Sequence, residues 1–510
     1  MSDPTTEELG PLFPKDEHNL KLESNVHPTD WENPKAEGKY NMAVIGAGTA
    51  GLVASSIAAG LGGKVALIER HLLGGDCLNV GCVPSKAIVA AAHAAASVRD
   101  AGELGINVPD GVTADFGYAM ERMRKLRADI SPHDSAARFR DLGMDVFLGD
   151  AKFTGPSTVE VDGQTLHFKK AVIATGARAS APPIDGLDGV EYLTNETLFS
   201  LTELPKRFGI VGAGPIGCEM AQSFARLGSE VTLFESERGV LTKEDKEAGE
   251  IVYESLKKDG VNILCCGKDL KLTKTEGTGV RCVVNSHGEK HDIEVDRLLI
   301  AAGRAPNVEG LGMEDAGVEY HKRGVTVNDK LQTTNKDIYA AGDICSPYQF
   351  THAADFMARN VVRNALFGGR AKTSKLVIPW VTYTDPEVAH VGILASEINE
   401  NDHDTYRVDM EKVDRALLEG TTKGFVKIHT LKGKDKIVAA TIVAKNAGDM
   451  ISQVSQAMAL RIGLGKIGGT ISPYPTQGEA IRKAGDLYGR TRLTPTVAKW
   501  MKKWLAFARR

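Results

Sequence analysis

Two cysteines, Cys77 and Cys82, stand five residues apart in Gly74-Gly-Asp-Cys77-Leu-Asn-Val-Gly-Cys82-Val-Pro-Ser-Lys86, directly behind a glycine-rich loop, and that setting points to thiol redox chemistry. In a regular α-helix, residues five apart have Cα atoms roughly 8.7 Å apart, from a rise of about 1.5 Å and a rotation of about 100° per residue. A disulfide needs about 4.4 to 6.8 Å. The segment is therefore expected to bend, because Gly74, Gly75 and Gly81 relax the backbone and Pro84 removes a helix donor. The inferred result is a strained, closable disulfide. The plainer alternative is a structural disulfide or two core cysteines.

Two repeats of one pattern must position this segment. The apolar run Asn41 to Ile45 leads into Gly46-Ala-Gly48-Thr-Ala-Gly51 and a small-residue helix, and the run ending at Glu69 follows. This reads as a Rossmann βαβ unit, whose glycines let a pyrophosphate approach the helix N-terminus while the acid accepts from a ribose hydroxyl. The unit recurs as Phe208 to Val211, Gly212-Ala-Gly214-Pro-Ile-Gly217 and Glu230 to Glu235. Glu235 stands as far past Gly212 as Glu69 stands past Gly46. Two dinucleotide sites in one chain suit a flavoenzyme reduced by a nicotinamide. Glu235 favours NADH, since a carboxylate repels the extra phosphate of NADPH; Arg238 nearby keeps NADPH open.

The segment GGDCLNVGCVPSKA, with both fingerprints in order, resembles the redox-active region of the class I pyridine nucleotide-disulfide oxidoreductases, in motif similar to mercuric reductase-like and dihydrolipoamide dehydrogenase-like flavoproteins. The resemblance runs from about Tyr40 to Gly489. It implies an α/β chain with two Rossmann-like domains, for FAD and NAD(P), and a C-terminal α+β dimerisation domain that completes the partner's active site in a homodimer. The expected boundaries are 1–39 for an N-terminal extended arm, 40–185 for the first part of the FAD domain and 186–300 for the NAD(P) domain. They continue with 301–370 for the return to the FAD domain, 371–490 for the dimerisation domain and 491–510 for a basic aromatic helix. By resemblance, Gly46, Gly48, Gly51, Glu69, Thr175, Gly176, Gly303 and Asp343 serve FAD, and Gly212, Gly214, Gly217 and Glu235 serve NADH. The same resemblance makes Cys82 the thiol over the flavin and Cys77 the interchange thiol. It pairs Lys86 with Glu219 beside the flavin and gives the chain no resident metal ligands.

One departure shapes the functional expectation. Disulfide-reducing members carry His-Pro-Thr-x-x-Glu, where His is the acid/base; here the chain reads Ile471-Ser-Pro-Tyr474-Pro-Thr-Gln-Gly-Glu479. A well-tuned base contributes roughly 10² to 10⁴-fold, and a phenol of pKa about 10 is a poor substitute near neutrality. Tyr474 following a proline is similar to mercuric reductases, so the favoured reading passes electrons from NADH through FAD and the dithiol to Hg(II) or another thiol-bound acceptor. The alternatives are a dihydrolipoamide dehydrogenase or other disulfide reductase, and a redox sensor without rapid turnover. The sequence has no cysteine near residue 510, whereas mercuric reductases end in a vicinal cysteine pair. Cys265-Cys266 follow an apolar strand, where successive side chains face opposite ways, and are expected to be structural.

A formal charge of −4 over 510 residues argues against a nucleic-acid partner, which would show a concentrated basic face. Seven cysteines are too few and too odd in number for a disulfide scaffold, which favours a reducing compartment and a cytoplasmic setting. The polar, proline-bearing residues 1–39 read as an arm that is mobile or lies along the surface, with Trp31 as a possible anchor. Trp500, Trp504 and Phe507 fall at helical spacing among lysines. Packing on its own subunit or the partner is the favoured reading of that helix, and contact with a membrane surface the second.

Overall fold

The computed structural model describes residues 9–509, which fall into two compact units. One comprises the described residues up to Gly212 with Met220–Ser236 and Val261–Leu376; the other comprises Ala213–Glu219, Glu237–Gly260 and the described residues from Val377 onward.

The first unit is built on a seven-stranded sheet. Its central strand, Lys39–Ile45, pairs in parallel with Val65–Glu69 on one side and Gln164–Ile173 on the other. Asp145–Leu148 extends one side in parallel, and Ile338–Ala340 pairs with Gln164–Ile173. From Met42 to Ile45 the central strand is buried without interruption, as a parallel strand covered on both faces requires. A hairpin turns at Asp162-Gly163: both residues have positive φ, and Thr158–Val161 pairs antiparallel with Gln164–Ile173. A second, four-stranded parallel sheet runs in the order Asn262–Leu264, Glu230–Phe234, Arg207–Val211, Arg297–Ile300. A three-stranded antiparallel sheet follows it, formed by Lys271–Lys274, Val280–Ser286 and Glu289–Val295.

The N-terminal segment differs from the extended arm expected over 1–39. Residues 1–8 lie outside the described residues, but from Leu9 the chain is a strap with its own helix, Glu17–Val26, capped by Asp16. Leu22 and Val26 are fully buried. Trp31 does anchor the strap, donating to the Val146 carbonyl at 3.2 Å. The larger hold is Arg127, which is 1 % exposed and donates to the Pro11 carbonyl, to Asn19 Oδ1 and to the Asn79 carbonyl at 2.6 to 2.7 Å. A buried guanidinium needs such acceptors, and the strap supplies two of the three. Polar composition concealed this because the order comes from a distant partner, not from local propensity.

The second unit holds a five-stranded antiparallel sheet in the order Pro379–Thr382, Glu387–Gly392, Ile437–Ala444, Phe425–Leu431, His403–Asp409. Helices Ala447–Ala459 and Glu479–Thr491 cover it, and their apolar faces join the sheet's in one core through Met450, Ile451, Val454, Ile481 and Ala484. Helix Pro495–Ala508 buries none of its residues, so of the two packings expected for it, on its own subunit or on the partner, the first is not found. Its aromatic and charged positions are all exposed. Among the described residues, no helix is long and apolar enough to cross a membrane.

Candidate functional site

The two central cysteines sit on either side of a break between helices. Cys77 lies in Gly75–Asn79, which ends at Val80, and Cys82 opens Cys82–Arg99. The bend expected from the spacing is therefore present, and Gly81 explains how it closes: a Cβ there would lie 2.7 Å from the Asp76 carbonyl oxygen and 3.4 Å from Cys77 Cα. The pair is in the dithiol form. Hydrogen bonding to Cys82, followed by burial, pushes the Cys77 thiol well up. Cys82 Sγ lies 3.4 Å from Thr351 Oγ1, and Thr351 is the first residue of helix Thr351–Phe367. A hydroxyl donor and the positive end of a helix dipole both stabilise a thiolate there.

The segment is packed directly onto the first fingerprint. Gly74 N–H donates to the Ala47 carbonyl at 2.9 Å, and a Cβ on Gly75 would stand 2.7 Å from Gly48 Cα. Beside it, Arg304 donates to Asp76 Oδ2 at 2.6 Å, to the Ala177 carbonyl at 2.9 Å and to Asp343 Oδ2 at 3.4 Å. Burial pushes the Asp343 carboxyl up to about 6, against the opposing pull of Arg304. Thr351, Arg304 and Asp76 were not among the residues singled out from sequence. Arg304 adjoins the chosen Gly303, which was a usable signal, whereas nothing local marks Thr351.

Both glycine loops fit the dinucleotides expected of them. Gly46 takes φ +99°, and a Cβ on it would meet the Ala174 carbonyl oxygen at 2.4 Å, so the turn requires glycine. At Gly48 a Cβ would meet only Gly75 Cα, at 3.7 Å, and at Gly214 nothing within 4 Å. These open positions at the helix starts are where a pyrophosphate approaches exposed N–H groups. Gly51 and Gly217 lie within the helices Thr49–Gly60 and Pro215–Arg226, while Gly212 turns back after its strand with φ +104°. Glu69 accepts from the Ala47 and His71 N–H groups at 2.6 and 2.8 Å, which fixes its carboxylate at the mouth of the first loop. Thr175 and Gly176 are bound to Asn307, whose side chain donates to the Thr175 carbonyl and whose N–H donates to the Gly176 carbonyl. Glu235 closes its strand, its Oε1 accepting from Ser236 Oγ at 3.1 Å.

Lys86 lies half-buried in the first turns of Cys82–Arg99. Glu219, Tyr474 and Glu479 belong to the second unit. Glu219 is 4 % exposed and accepts the Tyr383 N–H at 2.9 Å. Tyr474 is exposed, and its hydroxyl donates to Asp414 Oδ2 at 2.8 Å. That hydrogen bond, with the charge of Asp414, pushes the phenol's pKa above its ordinary value. Glu479 does not orient Tyr474: it pairs with Arg482 at 3.0 Å and Lys483 at 3.7 Å. Tyr474 is thus a phenol held in its protonated form.

Residues 40–358 match the family described as pyridine nucleotide-disulphide oxidoreductase, and residues 378–485 match that family's dimerisation domain. A mercuric reductase of Lysinibacillus sphaericus is 35 % identical over 451 residues, covering 88 % of this chain and 82 % of that one. A dihydrolipoyl dehydrogenase of Staphylococcus aureus is 33 % identical over 457 residues, covering 87 % and 95 %. Among solved structures, the Cu(II) complex of the HOCl-induced flavoprotein disulfide reductase RclA from Escherichia coli superposes with a TM-score of 0.78 at 27 % identity, covering 88 % of this chain and 100 % of that one.

Proposed function

We propose a substrate on the premise that the chain belongs to the pyridine nucleotide-disulphide oxidoreductase family, as an FAD-dependent oxidoreductase that uses NAD(P)H. The match to the dimerisation domain supports a homodimer. The substrate we assign is a thiolate-bound metal ion, Hg(II), reduced at the Cys77 and Cys82 dithiol. The observation that carries this reading is the Tyr474 hydroxyl donating to Asp414, which leaves a protonated phenol where disulfide reducers place a base. The relatives that include mercuric reductases support it.

Bound FAD supplies two-electron transfer between the nicotinamide and the protein's thiols. The chain's own residues do the rest. Cys77, whose thiol is pushed up by its hydrogen bond to Cys82 and by burial, exchanges with the incoming complex and releases its proton. Cys82, held against Thr351, completes a pair of soft donors suited to Hg(II). Overall, NADH and Hg(II) give NAD⁺, Hg(0) and one proton, so two electrons balance. We assign NADH over NADPH on the carboxylate of Glu235.

The test is NADH oxidation by purified holoenzyme with Hg(II) in excess small thiol, run beside oxidised lipoamide. Hg-dependent turnover that disappears in Cys77→Ala supports the assignment. Faster turnover of lipoamide than of Hg(II) overturns it and places this chain with its dihydrolipoyl dehydrogenase relatives.

A further inference from the structure

Cys265, Cys266 and His287 gather three donor atoms within 4.8 Å of one another, on elements outside the Cys77 segment. Their convergence contradicts the expectation that the adjacent cysteines face opposite ways. The strand stops at Leu264, and Cys266 takes φ +67°, which turns its side chain out of the alternation that a continuing strand would impose. His287 lies in the two-residue turn joining Val280–Ser286 to Glu289–Val295, where His287 and Gly288 have φ +52° and +88°. Turns of this kind favour Asn-Gly or Gly-Gly. Thus two residues with ligating side chains occupy left-handed positions at which glycine or asparagine would be less strained.

We infer that these three residues form a binding site for a divalent d¹⁰ thiophilic cation of the Zn(II), Cd(II) and Hg(II) class. Cys265 Sγ already lies 3.2 Å from His287 Nε2. Tetrahedral bond lengths of about 2.3 Å to sulfur and about 2.0 to 2.1 Å to nitrogen put donors roughly 3.6 to 3.8 Å apart, so shifts on the order of 1 Å convert the cluster into a coordination set. The frame beneath it is fixed. Ser286 Oγ donates to the Cys265 carbonyl at 2.7 Å, Gly267 N–H donates to the Glu235 carbonyl at 3.1 Å, and a Cβ on Gly267 would stand 2.3 Å from Val284 Cγ2. Cys265 is buried, Cys266 half-buried and His287 exposed, so the site opens to solvent on the imidazole side, where water or a small thiol supplies the fourth ligand. Two thiolates and one neutral imidazole suit a soft ion. Binding releases one proton from each thiol, and no electron is transferred.

The experiment titrates Cd(II) into FAD-loaded protein carrying Cys77→Ser and Cys82→Ser, which removes the competing dithiol. Thiolate-to-cadmium absorbance and released protons are read together. The expected result is one equivalent bound with about two protons released near neutral pH. Cys266→Ser lowers both signals, and His287→Asn weakens affinity about tenfold or more while flavin content is unchanged. Cys265 is left intact because its burial makes replacement a folding risk, and His287→Asn, at an exposed turn, keeps the test decisive. Absence of stoichiometric binding, or affinity within about twofold of the parent in both variants, overturns the site.

Discussion

Tyr474→His is the substitution that separates metal exchange from disulfide chemistry. An ordinary phenol with a pKa of about 10 is ionised to about one part in a thousand at pH 7, and Asp414 moves Tyr474 further from ionisation. As a base it is therefore nearly silent. An imidazole in its place has an ordinary pKa of about 6.5, and its ring nitrogen, on a side chain shorter than tyrosine's, stops short of the Asp414 oxygen that the phenol hydroxyl now reaches. The nearby carboxylate charge still raises its basicity. The expected gain in NAD⁺-dependent oxidation of dihydrolipoamide is about 10²-fold, the lower end of what a positioned base contributes, because neither Asp414 nor Glu479 would hold the ring by a direct hydrogen bond. The assay is steady-state kcat/KM against pH, with the gain appearing as pH rises through the imidazole's pKa and no comparable gain in Hg(II)-dependent NADH oxidation. A lipoamide rate within about threefold of the parent, with an unaltered pH profile, would refute the claim that the missing base limits disulfide turnover.

Thr351→Val removes the hydroxyl beside Cys82. It should raise the pH midpoint for alkylation of the reduced enzyme's Cys82 by up to about one unit, since a hydrogen bond to a charged group contributes about 1.5 kcal/mol. Arg127→Met strips a guanidinium from three acceptors at a cost of about 1 to 3 kcal/mol for each oxygen left unsatisfied in the interior. The readout is trypsin cleavage within the strap at Lys15 or Lys21, which the parent should resist. In the second unit, burial and then the charge of Lys427 lower His429 to about 4. The unfolded chain then binds more protons between about pH 6.5 and 4, so stability falls as pH drops through that window, by up to about 3 kcal/mol. His429→Gln should flatten the decline in thermal midpoint between pH 7 and 4, and an unchanged slope would show that His429 is not its source.

The sequence disclosed what is local. A glycine at a left-handed turn, an acid at the end of the next strand and two thiols around Gly81 are each required by contacts a few residues away, and each stands where its spacing put it. It did not disclose the strap, because Arg127 meets Pro11 and Asn19 from more than a hundred positions away. Nor did it disclose Thr351, which reaches Cys82 only once the long helix has returned to the first sheet. At Cys265-Cys266 the pattern misled, because strand alternation holds only while the strand continues, and here the backbone leaves it at Leu264.

The proposed metal substrate would give Tyr474 and the raised Cys77 thiol one chemical explanation. Cys77 keeps its proton, so any substrate that bonds to its sulfur must dispose of that proton. In dithiol–disulfide interchange the incoming or leaving thiol requires an acid/base held by the protein, which is the task a histidine performs in the disulfide reducers. A metal ion delivered as a bis-thiolate brings the acceptor with it: when Cys77 sulfur replaces one carrier ligand, that ligand departs as a thiolate and takes up the proton as a thiol. One metal–sulfur bond breaks as another forms, and the proton moves from Cys77 to the carrier, with no base required of the protein. With the proposed substrate, a protonated phenol bonded to Asp414 would then be no defect, since that substrate would supply the group that this position lacks.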